Sequence, residues 1–340
     1  MEKVNVAVLG ATGIVGQAFA WMLSGHKLFD PVFLTTSSSR SGKLFGDEVT
    51  WVLPFQMPER IANQKIKALD FAELKKLGIK IVFSALPSDP ARTIEPELRD
   101  MGFRIFSNAS AMRYDEDVPI LIPEINLESM NLIEKQGFPD KGFIITNANC
   151  SVTGLALALA PLKKYGITEV HVSTYQSISG AGYPGLSALE ISGNVIPFIE
   201  DEEEKIANEI RKIFGPEINI FPQCLRIPTL FGHHETVWIK FRMSVTENDI
   251  IEAWRSFTFA NIKTSSLPEF PVIYAHAEDH PQTKMSFYGD PPGMSVFVGR
   301  LKKQDNRFGF VLLVNNLVRG AAGGSIANAE VFLNKYRGVI

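Results

Sequence analysis

Two cysteines in 340 residues, Cys150 and Cys224, are too few for a disulfide framework and fit a reducing compartment. Long apolar runs are missing as well. Met1-Glu2-Lys3 leads straight into a strand pattern with no apolar signal segment, so a soluble, cytoplasmic protein is expected, with no membrane partner. Neither sign of charge dominates: 34 Lys and Arg against 37 Asp and Glu leave a net charge of −3, and no basic face emerges for nucleic acid. The longest single-sign run, five acids at 200–204, reads as the solvated start of a helix, where acids suit the positive end of the helix dipole. There is no internal repeat or low-complexity tract. What is present is an ordinary globular balance, 45% hydrophobic and 21% charged, over a length that suits two domains.

Val4-Asn5-Val6-Ala7-Val8-Leu9 is short, apolar and rich in β-branched residues, which predicts a buried strand. Glycines follow at 10, 13 and 16 and open a helix to about Leu23. Further strands are expected at 31–35, 80–85, 103–106 and 143–146, with helices at 71–77 and 90–101. That alternation predicts an α/β, doubly wound Rossmann-type domain with a mostly parallel sheet. Past Cys150 a helix is expected at 152–164, and then the texture changes to strands at 171–177, 236–243, 272–275, 295–300 and 308–315. With few helices between them, these predict an α+β domain on a mixed or antiparallel sheet. The expected boundaries are 1–149 for the first domain and 150–319 for the second, with a C-terminal helix within 320–340 returning to the first.

Strand, glycine loop and helix form a dinucleotide-binding context. Glycine lets backbone N–H groups approach a pyrophosphate, and the helix N-terminus favours its charge. Gly10, Thr12, Gly13, Ile14, Val15 and Gly16 are the residues expected to line it, in a G-x-x-G-x-x-G variant of the usual fingerprint. An acid usually ends the second strand when the ribose 2′-hydroxyl is free. Here the sequence reads Thr36-Ser37-Ser38-Ser39-Arg40-Ser41-Gly42-Lys43. Hydroxyls at Ser37 and Ser38 with cations at Arg40 and Lys43 suit a 2′-phosphate, so NADP is the expected cofactor, with NAD left open as a secondary one.

Asn147-Ala148-Asn149-Cys150-Ser151 falls between an expected strand and an expected helix. A thiol at a helix N-terminus has its pKa lowered from about 8.5, which enriches the nucleophilic thiolate. Cys224 lacks such a setting and reads as structural. A cysteine nucleophile needs a proton partner and a holder for the acyl oxygen. The segment Arg226-Ile227-Pro228-Thr229-Leu230-Phe231-Gly232-His233-His234-Glu235 offers both, and His233 follows a glycine at the start of a strand. Consecutive residues on a strand face opposite ways, so the His-His-Glu run is not expected to bind a metal. Ser179-Gly180-Ala181-Gly182-Tyr183-Pro184-Gly185 is glycine-rich enough to imply close backbone approach to a ligand.

At this point the sequence resembles the aspartate-semialdehyde dehydrogenase family in its archaeal and fungal form. The glycine loop, Asn147-Ala148-Asn149-Cys150, Gln176 with the 179–185 loop, Arg226 seven residues before His233, and Asn316-Leu317-Val318-Arg319-Gly320-Ala321-Ala322-Gly323-Gly324 all match in order. The resemblance implies a reversible, phosphorylating aldehyde dehydrogenation through a Cys150 thioester, serving lysine, threonine and methionine synthesis. It implies that His233 is the general acid/base, that Gln176 orients the acyl group, and that Arg226 pairs with the substrate α-carboxylate. It gives Glu202 to the substrate amino group, Lys205 and Arg113 to phosphate with Asn108 beside Arg113, and Ser179, Gly180, Ala181 and Asn316 to the cofactor side. It also implies a homodimer or homotetramer, with the 150–319 domain both catalytic and dimerising. One departure is Ala148, where the family usually has proline; this relaxes a turn and leaves the chemistry intact.

Malonyl-CoA reductases of some archaea are similar too, especially at Asp290-Pro291-Pro292-Gly293-Met294-Ser295-Val296 and the closing glycines. That reaction, or another CoA-thioester or acyl-phosphate semialdehyde dehydrogenation of the superfamily, is the alternative. Ser107-Asn108-Ala109-Ser110 resembles the turn before the nucleophile of glyceraldehyde-3-phosphate dehydrogenases, but Ala111 follows where that role needs cysteine. A non-catalytic dinucleotide sensor would leave Cys150, Gln176, Arg226 and His233 unexplained. A cofactor-free cysteine hydrolase would leave the glycine loop unexplained.

Overall fold

The β-branched run Val4–Leu9 forms β1, an interior strand of a five-stranded sheet with β2 (Phe29–Leu34), β3 (Ile81–Ser84), β4 (Arg104–Ser107) and β5 (Phe143–Thr146). The order is β2-β1-β3-β4-β5 and every pairing is parallel. The computed structural model describes residues 3–36, 40–259, 262 and 264–336. The chain divides into two compact units, Met1–Pro123 with Leu127–Asn147 and Ala321–Ile340, and Glu124–Asn126 with Ala148–Gly320.

In the first unit, period-two alternation sorts the strand side chains onto two buried faces. Ala7, Leu9, Phe33, Val82, Ile105 and Ile144 share one core cluster with Ala91 and Leu98 of the Ser88–Asp100 helix. An aromatic ladder fills the opposite face: Phe29 on β2 reaches across β1 to Phe83 on β3, and Phe106 and Phe143 follow on β4 and β5, with ring centroids 5.6 to 5.9 Å apart between Phe29 and Phe83, Phe83 and Phe106, and Phe106 and Phe143. Phe19 of the Ile14–Ser24 helix closes one end at 5.2 Å from Phe83, and Phe332 closes the other at 4.7 Å from Phe143. Phe332 lies on the C-terminal helix Gly323–Lys335, so aromatic burial is what returns this distant segment to the first unit.

The second unit is built on a six-stranded mixed sheet of β6 (Ile167–Gln176), β7 (Asn219–Arg226), β8 (His233–Phe241), β9 (Val272–Ala275), β10 (Val296–Gln304) and β11 (Arg307–Val314), in the order β7-β6-β8-β11-β10-β9. β7 does not stand out in the sequence because Pro222 interrupts it. Its place at the sheet edge explains how proline is tolerated there. The Glu202–Phe214 helix links β6 to β7, which pair in parallel. Helix Cys150–Leu159 begins two residues earlier than expected and tightens into a 3-10 turn at Ala160–Tyr165. Gly154 lets that helix settle onto the sheet, since a Cβ there would lie 2.7 Å from Val314. Among the described residues no helix is long and apolar enough to cross a membrane.

Candidate active site

Strand direction gathers the site. β6 and β7 run parallel and end together at Gln176 and Arg226, which pair in register, while antiparallel β8 starts beside them at His233. Along β8 the buried positions alternate, so His233 and Glu235 face inward with Thr174 and Gln176 of β6 and Cys224 and Arg226 of β7. The Cys150–Leu159 helix presents its first residue to this group, and Cys150 Sγ lies 3.2 Å from His233 Nε2.

Asn149 fixes the start of the helix that carries Cys150. As N-cap, its side-chain oxygen accepts from the N–H groups of Ser151 at 2.9 Å and Val152 at 3.3 Å. Its Nδ2 donates to Glu202 Oε1 at 2.8 Å, and its backbone N–H donates to Glu209 Oε2 at 2.6 Å. Glu202 is buried, not part of a solvated helix start, and its Oε1 also accepts from Gln176 Nε2 at 2.9 Å. Glu209 lies seven residues on, two helical turns along the same face. Lys205 is partly exposed, with Nζ 3.8 Å from Asp201.

Arg226 is buried, and its Nη1 donates to the Ser177 carbonyl at 2.9 Å and to Gln176 Oε1 at 3.5 Å. Burial lowers its pKa, and the nearby Cys150 and Glu202 oppose that shift. His233 is fully buried, and burial followed by the Arg226 charge holds its pKa down to about 3, so the imidazole stays neutral. Cys224 is pushed up to about 12 by burial and is inert as a nucleophile at neutral pH. Two glycines make room for the group: a Cβ on Gly180 would lie 2.7 Å from Arg226 Nη1, and one on Gly320 would lie 2.9 Å from Cys150 Cβ.

Ser179 and Asn316 occupy the same corner. Asn316 Nδ2 donates to Ser179 Oγ at 2.9 Å, and Asn316 Oδ1 accepts from the Gly232 N–H at 3.0 Å and from Ser177 Oγ at 3.3 Å. The Asn316 side chain is thus tied to the residues around His233. Sequence reasoning missed Asn149, Ser177, Glu209 and Glu235 as members of the site. The available signals were the place of Asn149 in the Asn-Ala-Asn-Cys motif and spacing: Glu209 two turns after Glu202, and Glu235 two residues along the strand from His233.

In the first unit the glycine loop fits a dinucleotide. Gly10 has φ +69°, and a Cβ there would lie 2.8 Å from the Ala85 carbonyl; one on Gly16 would lie 2.2 Å from the Gly10 carbonyl. Gly13 caps the Ile14–Ser24 helix without a side-chain hydrogen bond and no acid stands in the first turn, which leaves the helix start suited to phosphate. Thr12 and Thr36 hydroxyls lie 3.2 Å apart beside the loop. Arg40 is exposed, and Lys43 Nζ is 2.6 Å from Glu48. Ser37 and Ser38 lie outside the described residues. Arg113 is buried rather than a surface cation, and its Nη2 donates to the Asn108 carbonyl at 2.9 Å. Asn108 is held in turn, accepting from Asn147 Nδ2 at 2.9 Å and donating to Ser325 at 3.2 Å.

A parallel dinucleotide-type sheet and a mixed-sheet unit carrying a cysteine–histidine pair define a class of thioester-forming dehydrogenases. Residues 5–133 match the semialdehyde dehydrogenase NAD-binding domain, and residues 159–319 match the semialdehyde dehydrogenase dimerisation domain. The chain belongs to the aspartate-semialdehyde dehydrogenase family. It is 41% identical to the aspartate-semialdehyde dehydrogenase of Archaeoglobus fulgidus, over 98% of this chain and 99% of that protein. It is 35% identical to the NADP malonyl-CoA reductase of Metallosphaera sedula, over 98% of each. The crystal structure of aspartate-semialdehyde dehydrogenase with NADP from Candida albicans superposes with a TM-score of 0.87 at 30% identity, covering 100% of both chains.

Proposed function

We propose that this chain is an NADP-dependent oxidoreductase that interconverts β-aspartyl phosphate and aspartate semialdehyde through a thioester on Cys150. The observation that carries this reading is the Cys150–His233 pair at a helix start, with buried Arg226 and Glu202 gathered around it. Full-length similarity is greater to the archaeal aspartate-semialdehyde dehydrogenase, at 41% identity, than to the malonyl-CoA reductase, at 35%.

In the reductive direction the Cys150 sulfur attacks the acyl carbon. A C–S bond forms, the C–O bond to phosphate breaks, and phosphate leaves with the electron pair. Bound NADPH supplies the hydride that reduces the resulting thioester to the semialdehyde and restores the free sulfur. The residues assigned to hold the cofactor are Gly10, Thr12, Gly13, Ile14, Val15 and Gly16, with Arg40 and Lys43 toward the 2′-phosphate. Arg226 is assigned to the substrate carboxylate by a charge-assisted fork, Glu202 to its amino group, and Lys205 and Arg113 to phosphate. Gln176 steadies the acyl group, and His233, in contact with the sulfur, polarises the reacting oxygen. The enzyme is read as cytoplasmic and as a homodimer, or a pair of dimers, joined through the six-stranded sheet face that carries exposed His171 and Phe221.

Cys150→Ser tests the nucleophile. Reduction is expected to fall at least about 1,000-fold while NADP binding, read by cofactor fluorescence, is retained. Turnover near the wild-type rate would remove Cys150 from this role.

A further inference from the structure

His233 carries its neutral proton on only one ring nitrogen, and the surroundings of the other nitrogen decide which. The Ser177 backbone N–H lies 3.1 Å from Nδ1, and a backbone N–H can only donate. Ser177 Oγ is 3.2 Å from Nδ1 and donates to Asn316 Oδ1 at 3.3 Å. Asn316 is itself oriented without ambiguity, because its oxygen must receive the Gly232 N–H at 3.0 Å and its nitrogen then meets Ser179 Oγ at 2.9 Å. Nδ1 is therefore an acceptor, and the proton of the neutral ring sits on Nε2, directed at Cys150 Sγ 3.2 Å away.

We propose that the Ser177 amide, supported by Asn316, fixes His233 as a hydrogen-bond donor to Cys150, so that the resting nucleophile is a thiolate and His233 is its electrophilic partner rather than the base that deprotonates it. This rests on the reading of Cys150 as nucleophile. The ionisable groups around the pair are Arg226 and Cys224 on β7, Glu202, Lys205 and Glu209 on the Glu202–Phe214 helix, and Glu235 on β8. Arg226 and the helix start favour the thiolate, and burial with the Arg226 charge keeps the ring from becoming imidazolium. As the sulfur pair forms the C–S bond, the sulfur loses its charge, and Nε2–H becomes free to donate to the carbonyl oxygen that has taken up the C=O pair. That pair then returns to carbon as phosphate departs with the C–O pair. No proton moves to or from His233 in this step. Ser177 and Asn316 are thus positioning residues, acting through the ring.

Nitrogen-15 NMR of the histidine-labelled protein reads the tautomer directly, with the His233 signals assigned by their loss in His233→Gln. Expected is a one-bond proton coupling at Nε2, none at Nδ1, and no imidazolium between pH 8 and 5. Ser177→Ala keeps the backbone amide and is expected to keep the Nε2–H signature. A proton on Nδ1 in the wild type, or its move to Nδ1 in Ser177→Ala, overturns the assignment to the amide. Gln supplies an N–H donor but no base, so His233→Gln is expected to turn over at least about tenfold faster than His233→Ala. Equal rates would favour a base and overturn the proposal. A wild-type-like rate in Cys150→Ser would instead sink the thioester reading, whichever nitrogen holds the proton.

Discussion

Glu235 is a buried acid on the same face of β8 as His233. It is fully buried, and among the described residues neither side-chain oxygen has a hydrogen-bond partner. Burial, and then the charge of Glu202, raises its pKa well above the ordinary carboxylate range. The folded protein therefore holds a proton there that the unfolded chain releases above about pH 4.5. The stability tied to that proton is fully present below pH 4.5 and is lost as pH rises toward the folded pKa. Glu235→Gln, which never ionises, is expected to melt near the wild-type temperature at pH 4.5 and several degrees higher at pH 7.5. Equal melting shifts at the two pH values would mean that Glu235 is ionised in the fold. The same contrast explains why Cys150 and Cys224 differ. Cys224 lies within a strand, where burial and the acids Glu202, Glu203 and Glu235 raise its pKa, and Cys150 opens a helix near Arg226.

Among the elements, the Cys150–Leu159 helix shows how one cap can serve both folding and chemistry. Asn149→Ala removes the side-chain cap and the bond to Glu202 together. The expected cost is about 1 kcal/mol of stability in a denaturant melt, with turnover down about 10- to 100-fold as the sulfur loses its setting. Loss of stability with unchanged turnover would confine Asn149 to a structural part. The helix and its cysteine were legible in the sequence because glycine, asparagine and apolar spacing are local signals. Strands β1, β3, β4, β5 and β9 were legible for the same reason. β7 was obscured by Pro222, which reads as a breaker unless the edge position is known. Glu200, Asp201, Glu203 and Glu204 of the acidic run are exposed as expected, whereas the burial of Glu202, and of Glu209 further along the helix, depends on Asn149 and Gln176, which are distant in sequence. The tautomer of His233 depends on a backbone amide and left no trace in the residue pattern.

In the whole molecule, each unit has its own core, and the first is completed by the end of the chain. Phe332 is fully buried against Phe143, so Phe332→Ala is expected to cost about 3–5 kcal/mol. A urea melt followed by fluorescence of bound NADPH checks this, with cofactor release moving to lower urea; an unmoved midpoint would mean that the C-terminal helix adds nothing to the first unit. Fold class followed from the sequence, as did the positions of Cys150, Gln176, Arg226 and His233 in one cluster. The partners that hold those residues did not, because each contact joins strands or helices far apart in the chain.

The central claim is a phosphorylating semialdehyde oxidation. It is tested most directly by following NADPH formation from purified protein, aspartate semialdehyde and NADP, first with phosphate and then with CoA in its place. The prediction is NADPH formation that requires phosphate and is not restored by CoA. No turnover with phosphate, together with CoA-dependent oxidation of malonate semialdehyde, would contradict it and remove Glu202 as the ligand of a substrate amino group.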